Sequence, residues 1–330
     1  MTDQLREKFE NLELNAGLGK ISAFMSMSLA LLCLFGALCF LFPTVMTMPE
    51  LRPVYAKHYQ VFYFSLMAGI FISAGFGAFS AIVRQNRYGF YGLCIALLAA
   101  VLGCGLIKAP ILPNVPFYAG IDYFVLTLVI LAFIFIPLEG FFAKNPDQKI
   151  LRVGWVTDMK YFMVSHIGIQ LFTFLTVMPI QYWITHIPNN PIVPYVQAQP
   201  IWLQFIELLI VVDFVVYWLH RAMHEVNFLW RFHAIHHSTE HMDWLASSRL
   251  HVVEVLMTRF LATLPIFLLG FHTSAVFAYL IFISIHAIFI HSNVRFRFPY
   301  LRWIIATPEF HHWHHSSEKP AIDKNYAAFI

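Results

Sequence analysis

Three histidine groups in this 330-residue chain have spacings that can do chemistry: His220-x-x-x-His224, His233-x-x-His236-His237 and His311-x-x-His314-His315. Side chains three and four positions apart are neighbours on a helix, with Cβ atoms about 5–6 Å apart. Each group can therefore aim two or three imidazoles at one locus, where metal–nitrogen bonds of about 2.0–2.2 Å close a site. Eight imidazoles exceed the three or four protein ligands usual around one zinc ion, so two metal ions are the economical expectation. Imidazole alone does not choose among zinc, copper, iron and nickel.

The elements that must carry these groups lie in a membrane. The chain is 59% hydrophobic and 17% aromatic with only 12% charged residues, and its mean hydropathy is +0.66. This excludes both an ordinary soluble domain and a disordered chain. A net charge of +3, from scattered basic residues, excludes a nucleic-acid surface. Cys33, Cys39, Cys94 and Cys104 sit in apolar stretches as small hydrophobes and form no disulfide framework.

A membrane helix needs about 20 mostly apolar residues. Eight runs qualify, near 21–42, 61–83, 88–107, 121–142, 161–180, 201–219, 252–271 and 273–290. They predict an all-α integral membrane protein of about eight transmembrane helices. Residues 1–20 are too polar and acidic to open a signal peptide, so the first run is expected to be retained as a span. Leu5, Phe9 and Leu12 fall there at helical spacing, which suits either an interfacial helix or a solvated leader. With the N-terminus in the cytoplasm, 17 Lys and Arg fall in cytoplasmic segments and only Arg52, Lys57 and Lys108 opposite. The excess of positive charge places both termini and the histidine cluster on the cytoplasmic side.

Fourteen of the 17 His lie at or after His220. The chain therefore divides into an N-terminal four-span membrane region, 1–142, of unknown role, a cytosolic linker, 143–160, and a catalytic region, 161–330. The first two histidine groups follow the sixth span and the third follows the eighth. One complete hairpin separates them, so all three return to the same side and none sits unpaired at mid-bilayer, where ionisable groups are costly.

With these groups in place, the chain resembles the fatty acid hydroxylase and sterol desaturase superfamily. The likeness rests on His220-Arg221-Ala222-Met223-His224, on His233-Ala234-Ile235-His236-His237, and on Thr307-Pro308-Glu309-Phe310-His311-His312-Trp313-His314-His315. Between them, Arg249-Leu250-His251-Val252-Val253-Glu254 matches an Arg-x-His-Pro-x-Glu element, and His291-Ser292-Asn293 a His-x-Asn element. Five elements in the right order span roughly 202–326. Val252 stands where the pattern has Pro. The chain ends at Ile330 after Asn325-Tyr326-Ala327-Ala328, whereas relatives have Asn-Tyr-Gly and continue to Trp-Asp-x-Leu-Phe-Gly, which marks a candidate C-terminal truncation.

The resemblance implies metal ligands at His220, His224, His233, His236, His237, His291, His311, His314 and His315, with His286 as a further candidate. His251, Glu254 and Asn293 are expected to support the ligands from behind. So is Asp213, two turns before His220, with Glu225, Glu240, Asp243 and Glu309 as rivals. His312 is expected to turn away from the cluster. The resemblance also implies two iron ions, O2 as co-substrate, and hydroxylation or desaturation of a lipid C–H bond, the lipid being an acyl chain, sterol, sphingoid base or alkylglycerol. No flavin or haem domain is evident, so a separate electron donor, a reductase, cytochrome or ferredoxin, is implied. A homo-oligomer is compatible with the small residues Gly69, Gly75 and Gly77. The alternative from another class is a divalent-metal transporter, which needs ligands near the midplane on broken helices. A bis-histidine haem would leave most of the cluster unexplained.

Overall fold

The computed structural model describes residues 19–49, 51–103, 120–186 and 190–330. The N-terminal positions Leu5, Phe9 and Leu12 lie outside them. Every longer element is a helix. They are named here α1 (Lys20–Leu41), α2 (Tyr59–Ala78), α3 (Arg87–Gly103), α4 (Ile121–Phe142), α5 (Trp155–Ile167), α6 (Ile169–Thr185), α7 (Ile201–Glu225), α8 (Asn227–His233), α9 (Val252–Leu269), α10 (Thr273–His291) and α11 (Pro308–His314). The one extended pairing among the described residues is an isolated antiparallel bridge between Ala143 and Val294.

Six helices are long and apolar enough to cross a membrane: Ser22–Leu41, Tyr59–Val83, Ile121–Phe142, Ile201–Glu225, Val252–Leu269 and Thr273–His291. The fifth expected span is a bent pair, Trp155–Ile167 and Leu171–Ile184, meeting at 43°. The break falls at Gly168, where a Cβ would lie 2.7 Å from the Val164 carbonyl. The third expected span is the shorter apolar helix α3, beyond which residues 104–119 are not described. The expected eight spans are thus six among the described residues, or seven with the bent pair.

The chain forms two compact units, Met1–Tyr123 and Phe124–Ile330. The division comes earlier in the chain than the compositional change near Ala143. In the first unit α1, α2 and α3 approach closely over small residues. Ser26 and Ser73 each donate a hydroxyl to the other's carbonyl, at 2.9 and 2.8 Å. A Cβ at Gly92 would lie 2.3 Å from Ser26 Oγ, and one at Gly69 2.7 Å from Cys33 Sγ. Gly69 and Gly77 are therefore consumed by packing inside the unit, whereas Gly75 faces open space.

The second unit has two apolar centres. Leu208, Leu209 and Val212 of α7 pack with Ala275 and Tyr279 of α10 and with Phe329 from the C-terminal segment. Leu131 and Phe135 of α4 pack with Phe162 of α5 and with Trp244 and Leu245. Residues 143–160, expected as a linker, are built into this unit. Arg152 donates to Asp243 at 2.8 Å and to Asp158 at 2.6 Å, and Arg249 donates to the other Asp158 oxygen at 2.5 Å. Glu139 of α4 accepts from the amides of Trp244 and Asn293, at 2.7 and 2.9 Å. These bonds tie the 143–160 segment to the loops before α9 and after α10, the loops that border the histidines.

Asp158 is fully buried between two guanidinium groups. Removing one member of such a set strands the others in a poor solvent, at a cost of about 3–5 kcal/mol. Asp158→Asn is expected to lower stability by that order, read as a reduced unfolding midpoint in detergent; an unchanged midpoint would contradict this.

Candidate metal centre

The helix ends explain why the histidines meet. His220 and His224 lie in the last turns of α7, Glu254 in the first turn of α9, and His291 at the last position of α10. Successive helices that end, begin and end at one level put all three termini on the same face of the unit. Thr307 caps α11 by accepting from the Phe310 amide at 3.3 Å, and Pro308 takes the first helical position, where its missing N–H costs nothing. The capped helix then presents His311 and His314.

Nine imidazoles gather in two adjoining groups. In one, His220, His224, His233, His237 and His314 each offer a ring nitrogen, all within 4.8 Å of one another; in the other, His236, His291, His311 and His315 do the same. The groups abut, the His237 ring stacking on that of His315 with centroids 4.3 Å apart. Each His-x-x-His-His motif is divided between the groups. Residues four apart stay together, as His220 with His224, His233 with His237, and His311 with His315, while His236 and His314 cross to the other group. In α11 adjacent residues diverge by about 100° while residues four apart share a face; the second motif leaves α8 at His233 and passes through a turn into a 3-10 turn at His236–Ser238, so its division depends on the turn. Each motif thus aims two imidazoles at one locus, and each His-x-x-His-His motif sends its remaining ring to the other.

The hydrogen bonds at the back of the rings decide what faces the centre. His220 Nδ1 donates to the Tyr326 carbonyl at 2.7 Å, His314 Nδ1 to the Lys324 carbonyl at 2.7 Å, His236 Nδ1 to the Arg249 carbonyl at 3.2 Å and His291 Nδ1 to the Ala287 carbonyl at 2.6 Å. His233 Nδ1 meets Glu254 at 2.7 Å and His224 Nδ1 meets Asp323 at 3.2 Å. Carbonyl and carboxylate oxygens only accept, so Nδ1 carries the proton and Nε2 is left with a bare lone pair. Yet His220 Nε2 lies 3.0 Å from His233 Nε2, and His236 Nε2 lies 3.1 Å from His291 Nε2. Two lone pairs at that separation repel and do not hydrogen-bond. His224, His237 and His314 each bury an Nε2 with no partner at all.

Burial and the neighbouring imidazoles push His236, His237, His311 and His315 below the ordinary histidine range, and burial carries His314 down to about 3. These rings are neutral near pH 7, the form that ligates metal. Unprotonated, inward-facing, buried and mutually repelling nitrogens are the donor set of a transition-metal site, and both groups can hold a metal ion.

The remaining expected residues fall differently. Glu254 stands behind His233 as expected. Asp213 reaches no imidazole; its carboxylate accepts from the Ile330 amide at 2.8 Å, because helical phase turns it toward the C-terminal segment. His251 caps α9, accepting from the Val253 amide at 3.1 Å, and Asn293 binds the Asn145 backbone, at 2.9 and 3.1 Å. His286 Nε2 donates to the Ala306 carbonyl at 3.0 Å, outside both groups. His312 turns away from the cluster, toward Lys144 and not open solvent. Glu225 pairs with Arg221, and Asp243 with Arg152. Val252 occupies the first position of α9, where Pro would also fit. Asp323 and the carbonyls of Lys324 and Tyr326 were not anticipated; backbone acceptors leave no sequence signal, and Asp323 looked like one more surface acid.

Residues 205–330 match the family model described as fatty acid hydroxylase. Among curated relatives, the chain is 34% identical to ornithine lipid hydroxylase OlsE of Rhizobium tropici over 38% of either chain. It is 36% identical to alkylglycerol monooxygenase of Homo sapiens over 36% of this chain and 26% of that protein. It is 29% identical to very-long-chain aldehyde decarbonylase GL1-5 of Oryza sativa subsp. indica over 36% of this chain and 20% of that one. The chain thus spans well under half the length of the relatives it matches. No solved structure matches.

A carboxylate behind a ligating imidazole fixes its tautomer and raises its basicity, and losing it typically weakens metal binding about 10–100-fold. Glu254→Ala is expected to show that loss in competition with a chelator; affinity equal to the wild type would remove Glu254 from the site.

Proposed function

We propose that this protein, whose residues 205–330 match the fatty acid hydroxylase family model, is a membrane oxygenase that hydroxylates, or desaturates, a C–H position of a lipid at a di-iron centre. His220, His224, His233, His237 and His314 would hold one iron, and His236, His291, His311 and His315 the other. The observation that carries the reading is the pair of buried groups of imidazole nitrogens that converge on one another, with ring nitrogens of His224, His237, His314, His311 and His315 left without a partner. Bound iron would supply the one-electron redox chemistry that activates O2 toward a C–H bond, which no protein side chain has.

The chain's own residues do the positioning. Glu254 and Asp323 hold His233 and His224 by their Nδ1 protons, and backbone carbonyls hold four more rings. Burial of His233, His236, His291, His311 and His314 to 6% exposure or less keeps water from the centre. Its setting at the ends of apolar helices suits a lipid chain entering from the bilayer. It does not suit a divalent-metal transporter, whose ligands belong near the midplane.

Hydroxylation uses one atom of O2 in the product and releases the other as water, consuming two electrons and two protons. The electrons would come from a separate reductase, cytochrome or ferredoxin. The relatives' names, an ornithine lipid hydroxylase and an alkylglycerol monooxygenase, favour a polar lipid with a long acyl or alkyl chain. The lopsided distribution of Lys and Arg supports cytoplasmic placement of the centre and both termini. The first four apolar runs are assigned packing support, or contact in a homo-oligomer, in place of chemistry.

Lipids of cells producing the chain, compared by mass spectrometry with cells producing a His236→Ala or His314→Ala variant, are expected to contain a species heavier by one oxygen or lighter by two hydrogens that the variants lack. Identical lipid profiles would contradict the assignment.

A further inference from the structure

The two histidine groups are supported in different ways, and the difference lies in the C-terminal segment. Within four residues this segment gives an acceptor to three rings of the five-histidine group: the Asp323 carboxylate to His224, the Lys324 carbonyl to His314 and the Tyr326 carbonyl to His220. It gives none to the four-histidine group. There the acceptors are the Arg249 carbonyl, itself fixed through the Arg249–Asp158 pair, and the Ala287 carbonyl within α10. His311 and His315 have buried Nδ1 atoms with no partner.

Presenting three acceptors in so short a stretch demands an unusual backbone. Asp323 and Asn325 adopt left-handed φ values of 55° and 60°, a region in which Asp and Asn are the least disfavoured residues after glycine. Alternating the backbone in this way turns the Lys324 and Tyr326 carbonyls toward the same face. The far end is fastened separately. Phe329 is buried in the α7–α10 core, its carbonyl accepts from the Ala306 amide at 2.7 Å, and the Ile330 amide donates to Asp213. Asp213, an acid within an apolar helix, thereby acts on the centre indirectly, by holding the strap that orients His220.

We propose that Asp323–Ile330 is a positioning strap for the five-histidine site alone, so that the two metal positions differ in affinity and can be uncoupled through Asp323. The inference rests on the reading that both groups bind metal. Asp323 is a positioning residue: it touches His224 Nδ1 and not the metal-facing side of the ring.

The test is titration of the purified full-length protein with Co(II), following visible d–d absorption and metal per chain after dialysis. The wild type is expected to bind two equivalents. The Asp323 side chain is 53% exposed, so Asp323→Ala should leave the protein folded, its thermal transition lowered only by the left-handed backbone at alanine and by the weaker metal binding, while weakening one equivalent about 10–100-fold and altering its d–d spectrum. The other equivalent should keep its affinity. In a His311→Ala background, which impairs the four-histidine group, the remaining equivalent should show the whole effect, and Asp323→Glu should restore part of it. Two equivalents of wild-type affinity in Asp323→Ala would overturn the strap, and equal weakening of both would overturn its selectivity. A wild-type protein that takes up no Co(II) would instead overturn the metal reading beneath it.

Discussion

The structure depends on a repulsion that its own atoms do not relieve. Imidazoles whose Nδ1 protons are committed to carbonyl and carboxylate oxygens present bare Nε2 lone pairs to one another at 3.0–3.1 Å, in a region shielded from water. In the four-histidine group protonation is no remedy, because a buried imidazolium there pays desolvation with no carboxylate beside it; Glu254 and Asp323 stand behind His233 and His224 of the other group. A metal cation is the partner that satisfies all the lone pairs of a group at once. Under the proposed function, metal binding would relieve this repulsion, and binding and local folding would be linked.

Much of the second unit serves to hold that arrangement against the repulsion. The ends of α7 and α10 and the start of α9 supply ligands and supports from one face, while the Arg152–Asp158–Arg249 set and Glu139 pin the connecting loops. Buried ion pairs are a weak source of net stability; their directionality fits the task of locating loops that carry ligands. The apolar surface around these helices is what a membrane protein turns to lipid, and it places the centre beside its proposed substrate.

Eight of the nine gathered histidines were legible from their helical spacing, a signal that packing alone does not produce, and His291 from the family resemblance. The helical nature of the spans was legible from composition, although hydropathy overstated the continuity of one run, which a break at Gly168 divides. Other features left no signal. The crossing of His236 and His314 between groups depends on turn geometry around each motif. Asp213 has the spacing of a support for His220 but faces the C-terminal segment, a choice fixed by helix phase and by where Ile330 lies. The buried role of Arg152 turned residues 143–160, polar enough to read as a linker, into part of the unit. Most of the acceptors behind the ligands are backbone carbonyls, which any residue type can provide.

The central claim is that each group closes on one metal ion through nitrogen alone. X-ray absorption at the iron edge of the reconstituted protein measures this most directly. The account predicts two irons per chain with a first shell dominated by nitrogen at about 2.0–2.2 Å and a multiple-scattering pattern from several imidazoles, lost on replacing His236 and His314. A sulfur-containing or oxygen-only shell, or iron that remains after both replacements, would contradict it.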